Sequence, residues 1–155
     1  MSRAFVKEPD GLDAFEELPE KLVSGHRNLV TPEGLALIDA EVVRLQAEHA
    51  KGQAANDRAV IARAARDLHY WASRRSSAEV QPHPLDQKTV QFGSTVSLER
   101  ADGRKQKFRI VGEDEANPAL GSVSYVSPLA QALMGKFPGD VVRIGDADAE
   151  LLEIG

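Results

Sequence analysis

Two carboxylate residues lie close together in the stretch LQAEHAKGQAANDRAVIA, residues 45–62. Its titratable groups include Glu48, His49, Lys51 and Asp57. Two carboxylates held near each other can bind Mg²⁺, a hard cation that takes one or two such ligands together with water. Asp57 also fits the first turn of a helix, where the helix dipole stabilises a negative charge. The residues alone favour this structural role and leave Glu48 and Asp57 as weak metal-ligand candidates.

The stretch joins two predicted helices. Apolar residues on both sides of it follow the same spacing of three, four and three: Leu35, Ile38, Val42 and Leu45, then Ile61, Ala64, Leu68 and Trp71. Matched heptads with a short connection predict an antiparallel coiled coil. Glu48, Asp57 and the neighbouring Arg58 would then occupy its tip.

The first helix has clear signals at both ends. Thr31 is a good N-cap, and Pro32 suits the first helical position because its missing N–H is not needed there. The helix is predicted to run to Lys51, with Gly52 as its stop.

The second helix is predicted to start after Asn56 as its cap and to continue through heptad position Arg75 to about Ala78. It is rich in arginine, with a single acid, Asp67, against Arg58, Arg63, Arg66, Arg74 and Arg75. Such a basic face could contact transcript RNA or an acidic protein. The simpler interpretation is a solvated helix face.

The rest of the chain divides by composition. Residues 1–30 show no periodicity and carry six acids against four bases, which predicts a flexible acidic leader. Residues 31–79 form the predicted hairpin. Pro82 and Pro84 mark a linker at residues 80–87. Residues 88–155 remain for a C-terminal domain.

The C-terminal domain is predicted to be a small antiparallel sheet with one short helix, so that the whole chain is α+β. Alternation from Val90 to Glu99 predicts the first strand, and a turn at residues 101–103 leads into the second. A third strand is expected near residues 122–126 and the last near 150–154. Between them, SPLAQALMG predicts a helix with Ser127 as cap and Pro128 at its first position.

Bulk properties exclude several classes of protein. The net charge of −5 argues against coating of duplex DNA, and the chain has no cysteine for disulfides or thiolate metal sites. No apolar run is long enough to span a membrane, and the first residues lack the apolar core of a secretory signal, so a cytoplasmic location is expected. The sequence also lacks a phosphate-binding glycine loop, HExxH and a nucleophile elbow. We therefore expect neither an enzyme nor a bound cofactor.

The C-terminal half resembles a known family. The segments FGSTVSLERADG, RIVGEDEANP and SYVSPLAQALMGKFPGDVVRI are similar to the C-terminal domain of the bacterial GreA/GreB transcript-cleavage factors over residues 88–155. The opening MSRAFVKE resembles GreB-type members. The position of the predicted hairpin agrees with this resemblance.

The resemblance implies an FKBP-like C-terminal domain that binds RNA polymerase at the rim of its secondary channel. The coiled coil would enter the channel, where acidic residues at its tip help to hold the second Mg²⁺ of the polymerase. The polymerase, not the factor, would hydrolyse the RNA. Carried over by position, the polymerase-facing candidates are Asp114, Glu115, Ser127, Pro128 and Leu129, with the first two expected in an exposed turn.

The sequence departs from the family at the tip. Full-length members carry a GDLxEN-like acidic turn that AEHAKGQAANDRA lacks, and the hairpin resembles the truncated one of the relative Rnk. A hairpin shortened by about 20 residues over two arms loses about 15 Å of reach. A transcription elongation regulator with weakened or lost cleavage stimulation is therefore expected.

Two alternatives remain open. One is an active cleavage factor that uses Asp57 and Glu48 and shares the Mg²⁺ of the polymerase. The other, from a different class, is an FKBP-like prolyl isomerase, whose pocket would need aromatic side chains. The domain offers Phe92, Phe108, Tyr125 and Phe137.

Overall fold

A computed structural model describes residues 18–155. Their contacts divide this part of the chain into two units. The first contains residues 18–24 and 38–76, and the second contains residues 25–37 and 77–155. The predicted leader at 1–30 therefore falls partly outside the described residues, and its residues 25–30 are grouped with the second unit.

The first helix, α1, spans Pro32–Ala54. Thr31 is its N-cap as predicted, since its hydroxyl accepts a hydrogen bond from the backbone N–H of Gly34 at 3.0 Å. The prediction that Gly52 stops the helix is wrong. A Cβ at Gly52 would lie 3.0 Å from the side chains of Val60 and Ile61, so glycine permits close contact with the next helix.

The second helix, α2, spans Arg58–Ser77. Its cap is Asp57 and not the predicted Asn56, because Asp57 Oδ1 accepts from the N–H of Val60 at 3.2 Å. Asn56 instead adopts the left-handed conformation, with φ of 52°, that reverses the chain.

The two helices form an antiparallel hairpin. The predicted apolar positions are buried or partly buried, with Ile38, Leu45 and Ala64 the most enclosed. The predicted heptad position Arg75 is wrong: Arg75 bonds Asp39 at 2.5 Å with half of its side chain exposed. Arg74 is the buried residue instead, with 1% of its surface exposed.

Short strands hold the segments that enter and leave the hairpin. Strand β1, Leu29–Val30, pairs in parallel with β2, Glu79–Val80. Neither strand was predicted, because two residues are too few to show a period. The predicted linker thus begins within a strand.

The second unit contains a five-stranded sheet. Its strands are β3, Thr95–Arg100; β4, Lys105–Val111; β5, Ser122–Ser124; β6, Val141–Ile144; and β7, Ala147–Ile154. Their order is β5-β4-β3-β7-β6. The helix α3, Pro128–Leu133, is capped by Ser127 as predicted, with Ala130 N–H donating to its Oγ at 3.2 Å. The α+β fold class is therefore confirmed.

Two details of the sheet differ from the prediction. The pair β4–β5 is parallel, so the sheet is mixed and not wholly antiparallel. The first strand begins at Thr95 and not near Val90, because Gly93 takes a φ of 85° and the N–H of Val90 bonds the carbonyl of Lys136. Residues before Thr95 therefore form a turn.

One face of the sheet packs against α3. The core is aliphatic and includes Val96, Leu98, Ile110, Leu133 and Leu151, each fully buried. Within residues 18–155 no helix is both long enough and apolar enough to cross a bilayer.

Candidate functional site

Glu115, in the loop after β4, holds the start of α1. Its carboxylate accepts hydrogen bonds from the backbone N–H of Thr31 and from the N–H of Gly112, each at 3.0 Å, and from the Thr31 hydroxyl. The Thr31 hydroxyl therefore donates to Glu115 while it accepts from Gly34. The expectation that Asp114 and Glu115 lie in an exposed turn is wrong: both are partly buried, and these donors surround the Glu115 carboxylate.

Two glycines leave room for this carboxylate. A Cβ at Gly34 would lie 2.1 Å from the carboxyl carbon of Glu115. A Cβ at Gly112 would lie 2.4 Å from the carbonyl oxygen of Leu29 and 2.8 Å from Glu115 Oε2. All three distances are shorter than ordinary Cβ contacts. A side chain at Gly34 would displace the Glu115 carboxylate, and one at Gly112 would also meet the backbone of Leu29.

Asp114 and the segment 127–129 follow neighbouring strands of the sheet. Because β4 and β5 are parallel and Val111 pairs with Ser124, the loops after them leave from the same end of the sheet. The N–H of Tyr125 bonds the carbonyl of Val111 at 2.9 Å and ties the two loops together. The structure thus brings these sequence-predicted candidates to one end of the second unit.

Ser127, Pro128 and Leu129 have different roles at that end. Ser127 caps α3, and its carbonyl also accepts from the N–H of Gln131 at 2.9 Å. Pro128 is exposed, and Leu129 is partly buried against the core. Pro128 is therefore the most exposed member of this segment.

The segment before α1 joins this end. The Tyr125 hydroxyl donates to the carbonyl of Arg27 at 2.5 Å, and the Tyr125 ring meets Phe92 edge to face with centroids 5.7 Å apart. The Arg27 guanidinium donates twice to Glu79, at 2.8 and 3.2 Å. These bonds from Arg27 lower the pKa of Glu79. Residues 27–34 are thus fixed beside the loops after β4 and β5.

Glu33 adds a charge to the first turn of α1. Arg109 donates to its carboxylate at 3.3 Å. The pKa of Glu33 lies below its ordinary value, first because its own backbone N–H donates to the carboxylate and then because Arg109 is near, while desolvation opposes the shift. Glu33 therefore stays ionised and stabilises the positive end of the helix.

The hairpin tip places Glu48 and Asp57 in one groove, which Lys51 and Arg63 also line. Each carboxylate already has a structural contact. Glu48 lies 3.3 Å from Arg44, one helical turn away, and Asp57 caps α2. Arg58 lines a different groove, on the side of α2 that faces residues 18 and 20.

The tip carboxylates do not form a complete metal site by themselves. Among residues 18–155, no group of three or more histidine, aspartate or glutamate side chains is arranged to hold a metal ion. Two carboxylates can act as ligands only where another molecule supplies the remaining oxygens.

The sequence of the second unit matches a known family model. Residues 85–152 match the model for "Transcription elongation factor, GreA/GreB, C-term". Over these residues the chain is similar to the GreA/GreB family. The match contains the loop of Asp114 and Glu115 and the helix start at Ser127.

Two relatives among the GreA proteins are also similar to this chain. GreA of Helicobacter pylori (strain ATCC 700392 / 26695) is 40% identical over 80 residues, which are 48% of this chain and 49% of the relative. GreA of Desulfovibrio desulfuricans (strain ATCC 27774 / DSM 6949 / MB) is 39% identical over 99 residues, 63% of this chain and 60% of the relative. The chain thus spans about half to three fifths of the length of these GreA proteins.

Two solved structures give low TM-scores with this chain. Gfh1, a GreA factor homologue of Thermus thermophilus, is 21% identical, with a TM-score of 0.41 over 84% of this chain and 99% of the other. A GreA/GreB factor from Nitrosomonas europaea is 16% identical, with a TM-score of 0.41 over 81% and 97%.

The sequence pattern did not reveal the partners of Glu115. Thr31 was recognised only as a helix cap, and Gly34 and Gly112 were not singled out. The local signal was the glycine in the first turn of a helix, where this residue is unfavourable unless something packs closely.

Proposed function

We propose that this protein is a Gre-type regulator that binds RNA polymerase at the rim of its secondary channel and modulates elongation in the cytoplasm. The observation that carries the proposal is the family match over residues 85–152. The shared position of Asp114 and Pro128 at one end of the sheet supports it, because a docking surface needs its residues on one side.

Within this surface, Asp114 and Glu115 have separate roles. Glu115 is a positioning residue, since its carboxylate is bonded to Thr31 and Gly112. It fixes the loop in which Asp114 lies. Asp114, with Pro128 and Leu129, then provides the contact with the polymerase.

We assign weakened or lost stimulation of transcript cleavage to the tip. Asp57 is engaged as a helix cap, and Glu48 is paired with Arg44. To reach the Mg²⁺ of a polymerase, each would have to give up a stabilising contact within the hairpin. The active-cleavage alternative rests on the groove that both carboxylates line.

The basic face of α2 supports an additional contact with transcript RNA. Arg58 and Arg63 lie within the first two turns of the helix, near the tip. Phosphate groups are bound well by arginine because its guanidinium donates in a planar fork. In this proposal the contact positions the hairpin and carries no sequence specificity.

A prolyl isomerase is not favoured by the aromatic residues of the domain. Phe108 packs against the core, whereas Phe137 is more than half exposed. Phe92 and Tyr125 contact each other, and the Tyr125 hydroxyl donates a hydrogen bond to the carbonyl of Arg27. These side chains do not act together as the wall of one pocket.

Two assays on one preparation test the proposal. Binding to RNA polymerase of the same organism is measured for the wild-type protein, for Asp114→Lys and for Glu150→Lys, which makes the same change of charge at an exposed site of β7. We expect Asp114→Lys to lose binding and Glu150→Lys to keep it. Equal binding by both variants would contradict the docking surface.

The second assay is RNA cleavage in a stalled, backtracked elongation complex with saturating protein. Binding without release of short 3′ fragments is the expected result. Mg²⁺-dependent release would contradict loss of cleavage and would assign the tip an active role.

A further inference from the structure

A segment before the hairpin is bonded to the side of α2. The Lys21 ammonium lies 2.8 Å from Asp67 Oδ1 and 5.9 Å from the centroid of the Tyr70 ring. Glu20 lies 3.8 Å from His69 Nε2. Lys21 thus contacts an acid and Glu20 contacts a histidine, two positions apart on α2. Together these contacts fix the alignment of the segment along the helix.

The segment lies beside a groove along α2. Leu18 and Glu20 line it on one side, and α2 contributes an apolar floor of Ile61, Ala62 and Ala65. Arg58, Arg66 and His69 complete the lining with basic groups. A groove with an apolar floor and a basic rim fits a peptide that carries both apolar and acidic side chains.

The charges of the two partners are complementary. Asp67, the single acid of α2, is already bonded to Lys21 and to Arg66. Burial alone would raise the pKa of Asp67, but the bonds from Lys21 and Arg66 outweigh it and lower the pKa. The charges of residues 20 and 21 are therefore matched to the groups that they contact on α2.

We propose that residues 18–21 form a removable cover of this basic groove of α2. It occupies the face that would otherwise bind an anionic polymer such as RNA. Exposed ion pairs each contribute little, so a polyanion that releases counterions can displace the cover. The inference rests on the RNA contact in the proposed function and makes the part of that contact at Arg58 conditional on release.

The first test measures the cover directly in the isolated full-length protein. The chain has no native cysteine, and Leu22 is 95% exposed, so Leu22→Cys accepts a nitroxide label without loss of packing. We expect the label to broaden the amide signals of α2 around Asp67 and Tyr70. Lys21→Glu should abolish the broadening, and Lys21→Glu combined with Asp67→Lys should restore it. If labelled Leu22→Cys, with Lys21 and Asp67 unchanged, shows no broadening, the proposal is overturned.

The second test measures masking with a short single-stranded RNA. Lys21→Glu should bind it about fivefold more tightly than the wild type, although the variant is more acidic. A fivefold change in affinity corresponds to the free energy of one or two exposed ion pairs. Lys88→Glu makes the same charge change at an exposed site and should bind no better than the wild type. Equal affinity of Lys21→Glu and the wild type, or binding by neither, would overturn masking. Neither test contains polymerase, so both are independent of failure at the docking surface.

Discussion

Thr31 and Glu115, 84 residues apart in sequence, are joined by two hydrogen bonds from the backbone N–H and the hydroxyl of Thr31 to the Glu115 carboxylate. The same hydroxyl caps α1 through Gly34. The same hydroxyl and carboxylate therefore fix both the start of α1 and the position of the loop after β4. A change at either residue acts on the other.

This coupling is measurable by a double-mutant cycle. Glu115→Gln removes a charged acceptor from several donors and should lower the free energy of unfolding by about 1–3 kcal/mol. Thr31→Ala should cost about 1 kcal/mol as a lost cap. Urea unfolding should show that the double variant loses less than the sum, by at least about 0.5 kcal/mol. Additive losses would show that the two residues act independently.

Gly34→Ala should destabilise the protein although alanine is the better helix former. Alanine would gain about 1 kcal/mol of helix propensity in an open helix. Here its Cβ would meet the Glu115 carboxyl group at 2.1 Å, so the carboxylate must leave its donors. Thermal unfolding should show a lower Tm. Gly25→Ala is the control, because its Cβ would meet nothing within 4 Å; a Tm unchanged in both variants would refute the close contact.

Asp57 can be tested separately as a cap and as a ligand. Asp57→Ala should lower the free energy of unfolding by about 0.5–2 kcal/mol. Asp57→Asn should retain most of the wild-type stability, because asparagine caps helices equally well. Both variants should behave like the wild type in a transcript-cleavage assay. If Asp57→Asn is stable but changes the yield of cleaved RNA, the carboxylate has a chemical role.

The ion pair of Asp67 predicts a specific pH dependence. The pKa of Asp67 in the folded protein lies below its ordinary value of 3.8. Its contribution is therefore complete above that value and is lost as the pH falls through the lower, folded pKa. Asp67→Asn should be less stable than the wild type at neutral pH, and the difference should close at low pH in urea unfolding curves. A difference that is constant with pH would exclude the ionised carboxylate as its source.

Local patterns predicted much of this fold. The caps at Thr31 and Ser127 and the heptads of the hairpin depend on residues within a few positions of each other. The turn before β4 also has a local cause, since Gly103 takes a φ of 86°. Such features are encoded by neighbouring residues, and sequence analysis finds them.

Other features depend on residues far apart in the sequence. The parallel pairing of β4 with β5 and of β1 with β2 leaves no period in either segment. Glu115 was predicted to be exposed because charged loop residues usually are, and its donors lie on another element. Gly52 was interpreted as a helix stop because its packing against Val60 and Ile61 has no local signature.

The order of the sheet has a consequence for biosynthesis. Strand β7, the last to be made, lies between β3 and β6 and pairs with both. A nascent chain that contains only β3–β6 therefore lacks the strand that joins β3 to β6, and β6 has no neighbour. The sheet can close only after residues 147–154 emerge from the ribosome, and until then β6 and the free edge of β3 are exposed to chaperones.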